Sequence, residues 1–233
     1  MKQVLVFLIT LVAFTSCHQR SGSGNIITET RQTSDFTGLS VGGAFTVEIK
    51  NGPVTQVQVE ADDNIIGLVE TNVSGNVLKI RTRSGSSFSN AHFKVYVTAP
   101  EINSIHASGA SDITSTSQLK SANKISIELS GAANIKAAID APQVYSSVSG
   151  AGTIELSGRT KNYMAKISGS GRIKSANLMS ENTDVHVSGA GSAKVHASVS
   201  LKADITGAGT VGYRGGGTVQ QHVSGAGTLN NEN

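Results

Sequence analysis

Apolar and polar residues alternate along most of this 233-residue chain, and from about residue 105 the alternation is locked to a repeat. A block of small side chains marks each copy: Ser108-Gly109-Ala110-Ser111, Ser130-Gly131-Ala132-Ala133, Ser149-Gly150-Ala151-Gly152, Ser168-Gly169-Ser170-Gly171, Ser188-Gly189-Ala190-Gly191, Thr206-Gly207-Ala208-Gly209 and Ser224-Gly225-Ala226-Gly227. Successive blocks start 22, 19, 19, 20, 18 and 18 residues apart. Just before each block stands Ala107, Leu129, Val148, Ile167, Val187, Ile205 or Val223. Five places after its first residue stands Ile113, Ile135, Ile154, Ile173, Ala193, Val211 or Leu229. Between these aliphatic columns runs a polar one, His106, Glu128, Ser147, Lys166, His186, Asp204 and His222, two places before each block.

Period-two alternation predicts strands with one buried face. A repeat of about twenty residues is too short for a pair of helices and suits one coil of a solenoid. The predicted fold is therefore all-β, a right-handed parallel β-helix or β-solenoid with coils of about 20 residues, because parallel crossovers are strongly right-handed. Like residues stack on like, so the aliphatic columns become buried ladders and the polar column a solvated stripe. At a strand spacing of about 4.8 Å, seven coils make a rod roughly 34 Å long. The glycine at the second place of every block suits a bend with positive φ. A chain that stays extended there would instead turn its glycines inward, where the sheets approach closely.

The N-terminal half is less regular. Phe45, Val47 and Ile49 alternate with polar residues, and Val57-Gln58-Val59, Val77–Ile80 and Phe93–Val97 read as further strands. Gly42-Gly43-Ala44 and Ser74-Gly75-Asn76 are candidate degenerate blocks, and Asp62-Asp63-Asn64 is placed to cap a short helix over residues 65–71. Nothing between the halves reads as a linker. The expected organisation is a leader over 1–16, a tether over 17–24 and one solenoid over 25–230, less regular over 25–104 and repetitive over 105–230.

The leader follows from Met1-Lys2-Gln3 and the apolar run Val4–Phe14, which is too short to span a bilayer as a helix and right for a signal-peptide core. It ends in Phe14-Thr15-Ser16-Cys17, a small residue before cysteine as in a lipobox, with Phe14 where leucine is usual. Cys17 is the only cysteine, so it is the expected lipidation site, and no disulfide can form within one chain. The expected location is the cell envelope, as an outer-membrane lipoprotein facing the periplasm or the surface, and membrane contact through the lipid. Formal charge is +3, falling to +2 without Lys2. The cations are scattered singly, which argues against nucleic acid as a partner.

Several segments together resemble the head GIN domain family: Gly22-Ser23-Gly24-Asn25-Ile26, Asp35-Phe36-Thr37-Gly38-Leu39, Ala61-Asp62-Asp63-Asn64, Tyr96-Val97-Thr98-Ala99-Pro100 and the run of blocks. The likeness covers about residues 22–230. It implies a β-solenoid of exported bacterial proteins, often lipoproteins, with no established activity; the adhesin role in the family's name is a conjecture. Many family repeats carry Asp after the block, whereas here that column is Asp112, Asn134, Thr153, Arg172, Ser192, Thr210 and Thr228.

That column argues against a calcium ladder, which needs hard oxygen ligands in every repeat. His186 and His222 stand two coils apart, roughly 10 Å, too far to share one zinc. Glu128 and Asp204 are four coils apart, near 19 Å by the same spacing, beyond the reach of a glycosidase pair. No Gly-x-Ser-x-Gly elbow or phosphate loop is present in its proper context. Hence no catalytic residue, metal or cofactor is expected. Tyr96, Tyr145, Tyr163 and Tyr213, with some placed at coil corners, are the aromatic handles for sugar. A strip of small side chains, Ala151, Ser170, Ala190, Ala208 and Ala226, is the candidate docking surface for a protein or glycan ligand or for self-association. The expected function is a non-enzymatic envelope lipoprotein acting as a structural or adhesive interaction module. A polysaccharide-binding module is the alternative, and a β-helix carbohydrate-active enzyme a weaker one.

Overall fold

Two parallel ladders of strands enclose a single apolar core in the computed structural model, which describes residues 19–233. The leader and Cys17 lie outside the described residues. Ladder A stacks the strands that enter the blocks: Gly38–Gly43, Ser104–Gly109, Lys124–Gly131, Gln143–Gly150, 162–169, 182–189, Ser200–Gly207 and Thr218–Gly225. Ladder B stacks the strands that leave them, from Thr46–Asn51 through Asp112–Ser115 and Asn134–Asp140 to Thr210–Arg214 and Thr228–Asn231. The predicted β-solenoid is therefore the fold, and its coils stack in chain order from residue 104 onward.

Register is unbroken across the ladders where the aliphatic columns predict it. Leu129 opposes Val148, Val148 opposes Ile167, and Ile167 opposes Val187. Ile135, Ile154 and Ile173 do the same on ladder B, and all seven are at most 2% exposed. A one-residue slip would turn every one of them to solvent, so burial of one face sets the register. Tyr163 joins this interior and not a coil corner, being 2% exposed. Its hydroxyl bonds the Ser146 hydroxyl at 2.7 Å, and burial pushes its pKa up to about 12.

The blocks combine both of the roles open to their glycines. Each second residue has φ between 100° and 131° and turns the chain from ladder A into ladder B. The amide of the next residue then donates to the equivalent glycine of the coil below, as Ala190 does to Gly169 at 2.9 Å. The fourth residue points inward: a Cβ on Gly191 would collide with Ile167 of the preceding coil. Where that place holds Ser111 or Ala133, the side chain is fully buried.

The N-terminal half departs from chain order. Gly42-Gly43-Ala44 is a true block, since Gly42 and Gly43 oppose Ser108 and Gly109 and Gly43 has φ 116°. Ser74-Gly75-Asn76 is not: it is the turn of an antiparallel hairpin joining Val69–Ser74 to Val77–Thr82, with Gly75 and Asn76 both at φ 61°. Positive φ at two successive turn residues suits the twist of a hairpin. Val77–Thr82 and Phe93–Ala99 together form one more coil, stacked beneath the coil of residues 38–51 although they follow it in the chain.

Asp62-Asp63-Asn64 caps no helix. Only the 3-10 turn Ile66–Leu68 follows, without a side-chain cap. The three side chains instead clasp the N-terminal segment. Asp62 accepts from the Gly24 amide at 2.7 Å and the His92 amide at 2.8 Å. Asp63 accepts from the Ser23 hydroxyl and from Asn25 Nδ2, and Asn64 Oδ1 accepts from the Ser23 amide. Gln19–Ser21 pairs in parallel with Ser87–Ser89. The expected tether is thus, over its described part, chain bound to the domain. The His92 and Gly24 amides hold the Asp62 carboxyl below its ordinary value of 3.8, and Ser23 and Asn25 do the same for Asp63. A depressed folded-state value contributes stability above the ordinary one and loses it as pH falls through the depressed value. As the pH is taken below 3.8, the Gly24 and His92 amides should shift and lose protection by NMR while amides of residues 150–190 stay unchanged. Amides that hold steady through the acid titration would count against the clasp.

Candidate functional site

The outward side chains of ladder A form three parallel rows. In the first, Gln143, Asn162, Asn182 and Ser200 stack in register; in the second, Tyr145, Met164, Asp184 and Lys202; in the third, Ser147, Lys166, His186 and Asp204. Each row is a polar column of the alternation, so the fold itself brings together residues about twenty apart in sequence. The first row is tied along the stack: Asn182 Nδ2 donates to Asn162 Oδ1 at 3.1 Å and the Ser200 hydroxyl to Asn182 Oδ1 at 2.8 Å.

Two adjoining hollows of about 380 and 420 Å³ run over these rows. The first is floored by Tyr145, Met164 and Asp184 between Lys124 and Lys202; the second by Lys166, His186 and Asp204, edged by Ser168, Ser188 and Thr206. Met164 is 37% exposed, and the Lys124 ammonium lies 5.1 Å from the Tyr145 ring centroid. The floor thus sets an aromatic ring and a thioether beside the Asp184 carboxylate, with cations at its margins.

A charged cluster sits at the junction of the hollows. His186 Nε2 lies 3.0 Å from Asp184 Oδ1, and its Nδ1 lies 3.9 Å from Asp204 Oδ2. Both carboxylates face opposite edges of one imidazole. The polar column by itself pairs His186 with Asp204 and leaves out Asp184, which belongs to the neighbouring row. Reading the two rows side by side, with residues at i and i+2 on the same face, would have found it. Glu128 and Asp204 stay four coils apart, and Asp204 lies between His186 and His222 in the stack.

Ala151, Ser170, Ala190, Ala208 and Ala226 are all exposed and follow one another along the stacked bends. The strip adjoins the second hollow, because Ser168 and Ser188, which edge that hollow, open the blocks to which Ser170 and Ala190 belong. Rows and strip therefore form one continuous surface. The column after the blocks faces outward on ladder B, where Asn134 Nδ2 donates to Asp112 Oδ1 at 2.8 Å. Among the described residues no three His, Cys, Asp or Glu side chains gather as a metal site would require.

A family model described as "Putative auto-transporter adhesin, head GIN domain" matches residues 35–217. No curated protein matches the chain. Crystal structures that share the fold include the following three. A "putative adhesin" from Bacteroides fragilis has a TM-score of 0.86 at 22% identity, over 91% of this chain and 99% of that one. A "Putative lipid binding protein" from Parabacteroides distasonis has 0.76 at 21% identity, over 92% of this chain and 100% of its own. A "putative adhesin" from Parabacteroides merdae has 0.71 at 22% identity, over 92% of this chain and 99% of its own.

Proposed function

The chain belongs to the head GIN domain family, and we propose that it is a non-enzymatic, adhesin-like interaction module of the cell envelope, anchored by lipid on Cys17. The observation that carries this reading is the outer surface of ladder A, where the row of Tyr145, Met164 and Lys202 lies beside the row of Lys166, His186 and Asp204, and the latter leads through Ser168 and Ser188 to the small-residue strip over several rigid coils. Each coil is fixed by its neighbours, so the surface is pre-organised and loses little entropy on binding. The descriptions of two of these three solved structures as adhesins point the same way, while the third is described as a lipid binding protein.

The Asp184–His186–Asp204 cluster speaks for a binding role over a hydrolytic one. A glycosidase needs its two carboxyl groups to flank a substrate bond, about 5–5.5 or 6.5–9.5 Å apart with open space between. Here the imidazole occupies the space between them. A polysaccharide is the second reading for the ligand. The apolar floor of Tyr145 and Met164, flanked by the amides of Asn162 and Asn182, has the mix of apolar face and polar edge that sugars use.

Binding is tested by screening the protein against envelope proteins and polysaccharides, then repeating the positive with two variants. Met164→Arg places a charge on the floor, and Ala151→Arg with Ala190→Arg and Ala208→Arg obstructs the strip. Each should lower affinity at least about tenfold, equal to about 1.4 kcal/mol, with an unchanged circular dichroism spectrum. Undiminished binding by both folded variants would remove this surface from consideration.

A further inference from the structure

The chain is bound to the domain almost up to its proposed anchor. Gln19–Ser21 pairs with Ser87–Ser89, and the Gly22 amide donates to the Ser89 carbonyl at 3.1 Å. Asp62, Asp63 and Asn64 then hold residues 23–25. Cys17 is two residues before Gln19, so their Cα atoms stand at most about 7 Å apart. Gln19 lies opposite Ser87, and the turn Arg83–Ser86, closed by the Ser86 amide on the Arg83 carbonyl, leads directly into that strand. Residues 83–85 of the turn are exposed. The same end of the stack carries a hollow of about 470 Å³. Antiparallel Val69–Ser74 continues ladder A there, while Gln56–Asp62 and then Ile26–Arg31 continue ladder B. Arg31 bounds the hollow from the last described strand of ladder B, and Glu70 from that of ladder A, with Arg81 and Arg83 beside Glu70. The hollow therefore faces along the axis of the stack. Arg31 pairs with Glu29 at 3.0 Å, whereas Glu70 is shared by Arg81 at 2.9 Å and Arg83 at 3.8 Å. One carboxylate cannot satisfy the N–H donors of two guanidinium groups, and the Arg81 and Arg83 side chains are 59% and 61% exposed. The nearby Asp62 and Asp63 carboxylates already accept from backbone amides, Ser23 and Asn25.

We propose that this end of the solenoid rests on the membrane that holds the lipid, with the Arg83–Ser86 turn, Arg20 and Arg81 against the phosphates of the lipid headgroups. The proposal rests on the reading of Cys17 as the anchor and adds the surface that meets the bilayer. Bound chain in place of a slack tether keeps the domain at the headgroups. Guanidinium groups match phosphate oxygens with paired N–H donors, and basic residues beside a lipid chain add to its hold. Because the hollow faces along the stack, the coils rise away from the bilayer. Tyr145 stands four coil steps from the strand that holds Arg81, so the outer face of ladder A begins to offer its hollows roughly 19 Å beyond the contact.

Cys17 is the only cysteine, so the mature chain from residue 17 is coupled through it to a maleimide-headgroup lipid in a nanodisc of phosphatidylethanolamine and phosphatidylglycerol. A gadolinium-chelating headgroup lipid then broadens the NMR signals of amides near the surface. Signals of Arg20 and residues 83–86 should be lost, while those of Thr228–Asn231, eight coil steps away and so roughly 38 Å from the contact, stay sharp. Insertion of about ten Gly/Ser residues after Cys17 makes a flexible leash. The broadening of residues 83–86 should persist with the leash, disappear when Arg81→Glu and Arg83→Glu are added, and weaken with the milder Arg83→Gln, which covers a double variant that folds poorly. Equal broadening at both ends of the stack would overturn the proposal. So would loss of the contrast on adding the leash alone, or a leashed contrast indifferent to every arginine variant. Native lipidation is read separately, from the mass of the chain recovered from the envelope: an unmodified Cys17 would refute the anchor, and the nanodisc result would still judge the surface.

Discussion

Gly189→Val is expected to lower stability by roughly 2–6 kcal/mol, at least as much as truncating a core isoleucine to alanine. Two costs combine. Gly189 sits at φ 113°, and holding a β-branched residue there costs on the order of 1–3 kcal/mol. A Cβ would also stand 2.6 Å from the Gly169 carbonyl oxygen of the coil below. That contact is with backbone, which cannot swing aside as a side chain would, and overpacking adds roughly 1–3 kcal/mol. Because coils contact only their neighbours, the damage should be local at first. Hydrogen exchange should quicken in residues 169–207 before the N-terminal coils respond. Gly67→Ala is the control: nothing lies within 4 Å of its Cβ position, and an effect within about 0.5 kcal/mol is expected. Urea midpoints read by circular dichroism compare the two. Equal shifts would show that the bend does not require glycine.

Ile154→Ala should cost about 2–5 kcal/mol through lost burial and the cavity left behind. Ile154 is fully buried between Ile135 and Ile173, with coils on both sides. Ile154→Val removes one methylene and should cost about 0.5–1.5 kcal/mol. Leu229 occupies the same column in the last described coil, only partly buried and with Val211 as its stacked neighbour. Leu229→Ala should therefore cost well under half as much as Ile154→Ala. Comparable losses at both sites would contradict a stack whose stability is a sum over neighbouring coils.

The repeat was legible because a solenoid writes the same local environment once per coil. Each aliphatic column meets its own kind above and below, so selection for burial leaves a periodic mark at Val148, Ile167 and Val187. The second-place glycines are marked for the same reason, since every bend meets the carbonyl of the bend beneath it. The same logic identified Gly42-Gly43-Ala44 as a block. It failed at Ser74-Gly75-Asn76, where small turn residues serve a hairpin. Glycine and asparagine reach positive φ in either setting, and the short motif does not say which strands it joins. It failed again at Asp62-Asp63-Asn64, whose carboxylates satisfy backbone amides at Gly24 and His92. Those donors lie 38 and 30 residues away.

The sequence by itself determined the fold class, the coil length, the register of the repeats and the family. All of these rest on periodicity, which neighbouring residues express together. Only the tertiary structure decided two things: the insertion of the coil formed by 77–82 and 93–99 beneath residues 38–51, and the clasp of Asp62, Asp63 and Asn64 on the N-terminal segment. Each depends on which distant strands become neighbours. That choice is made by burial of whole faces and pairing of whole edges, and no local pattern of side chains records it.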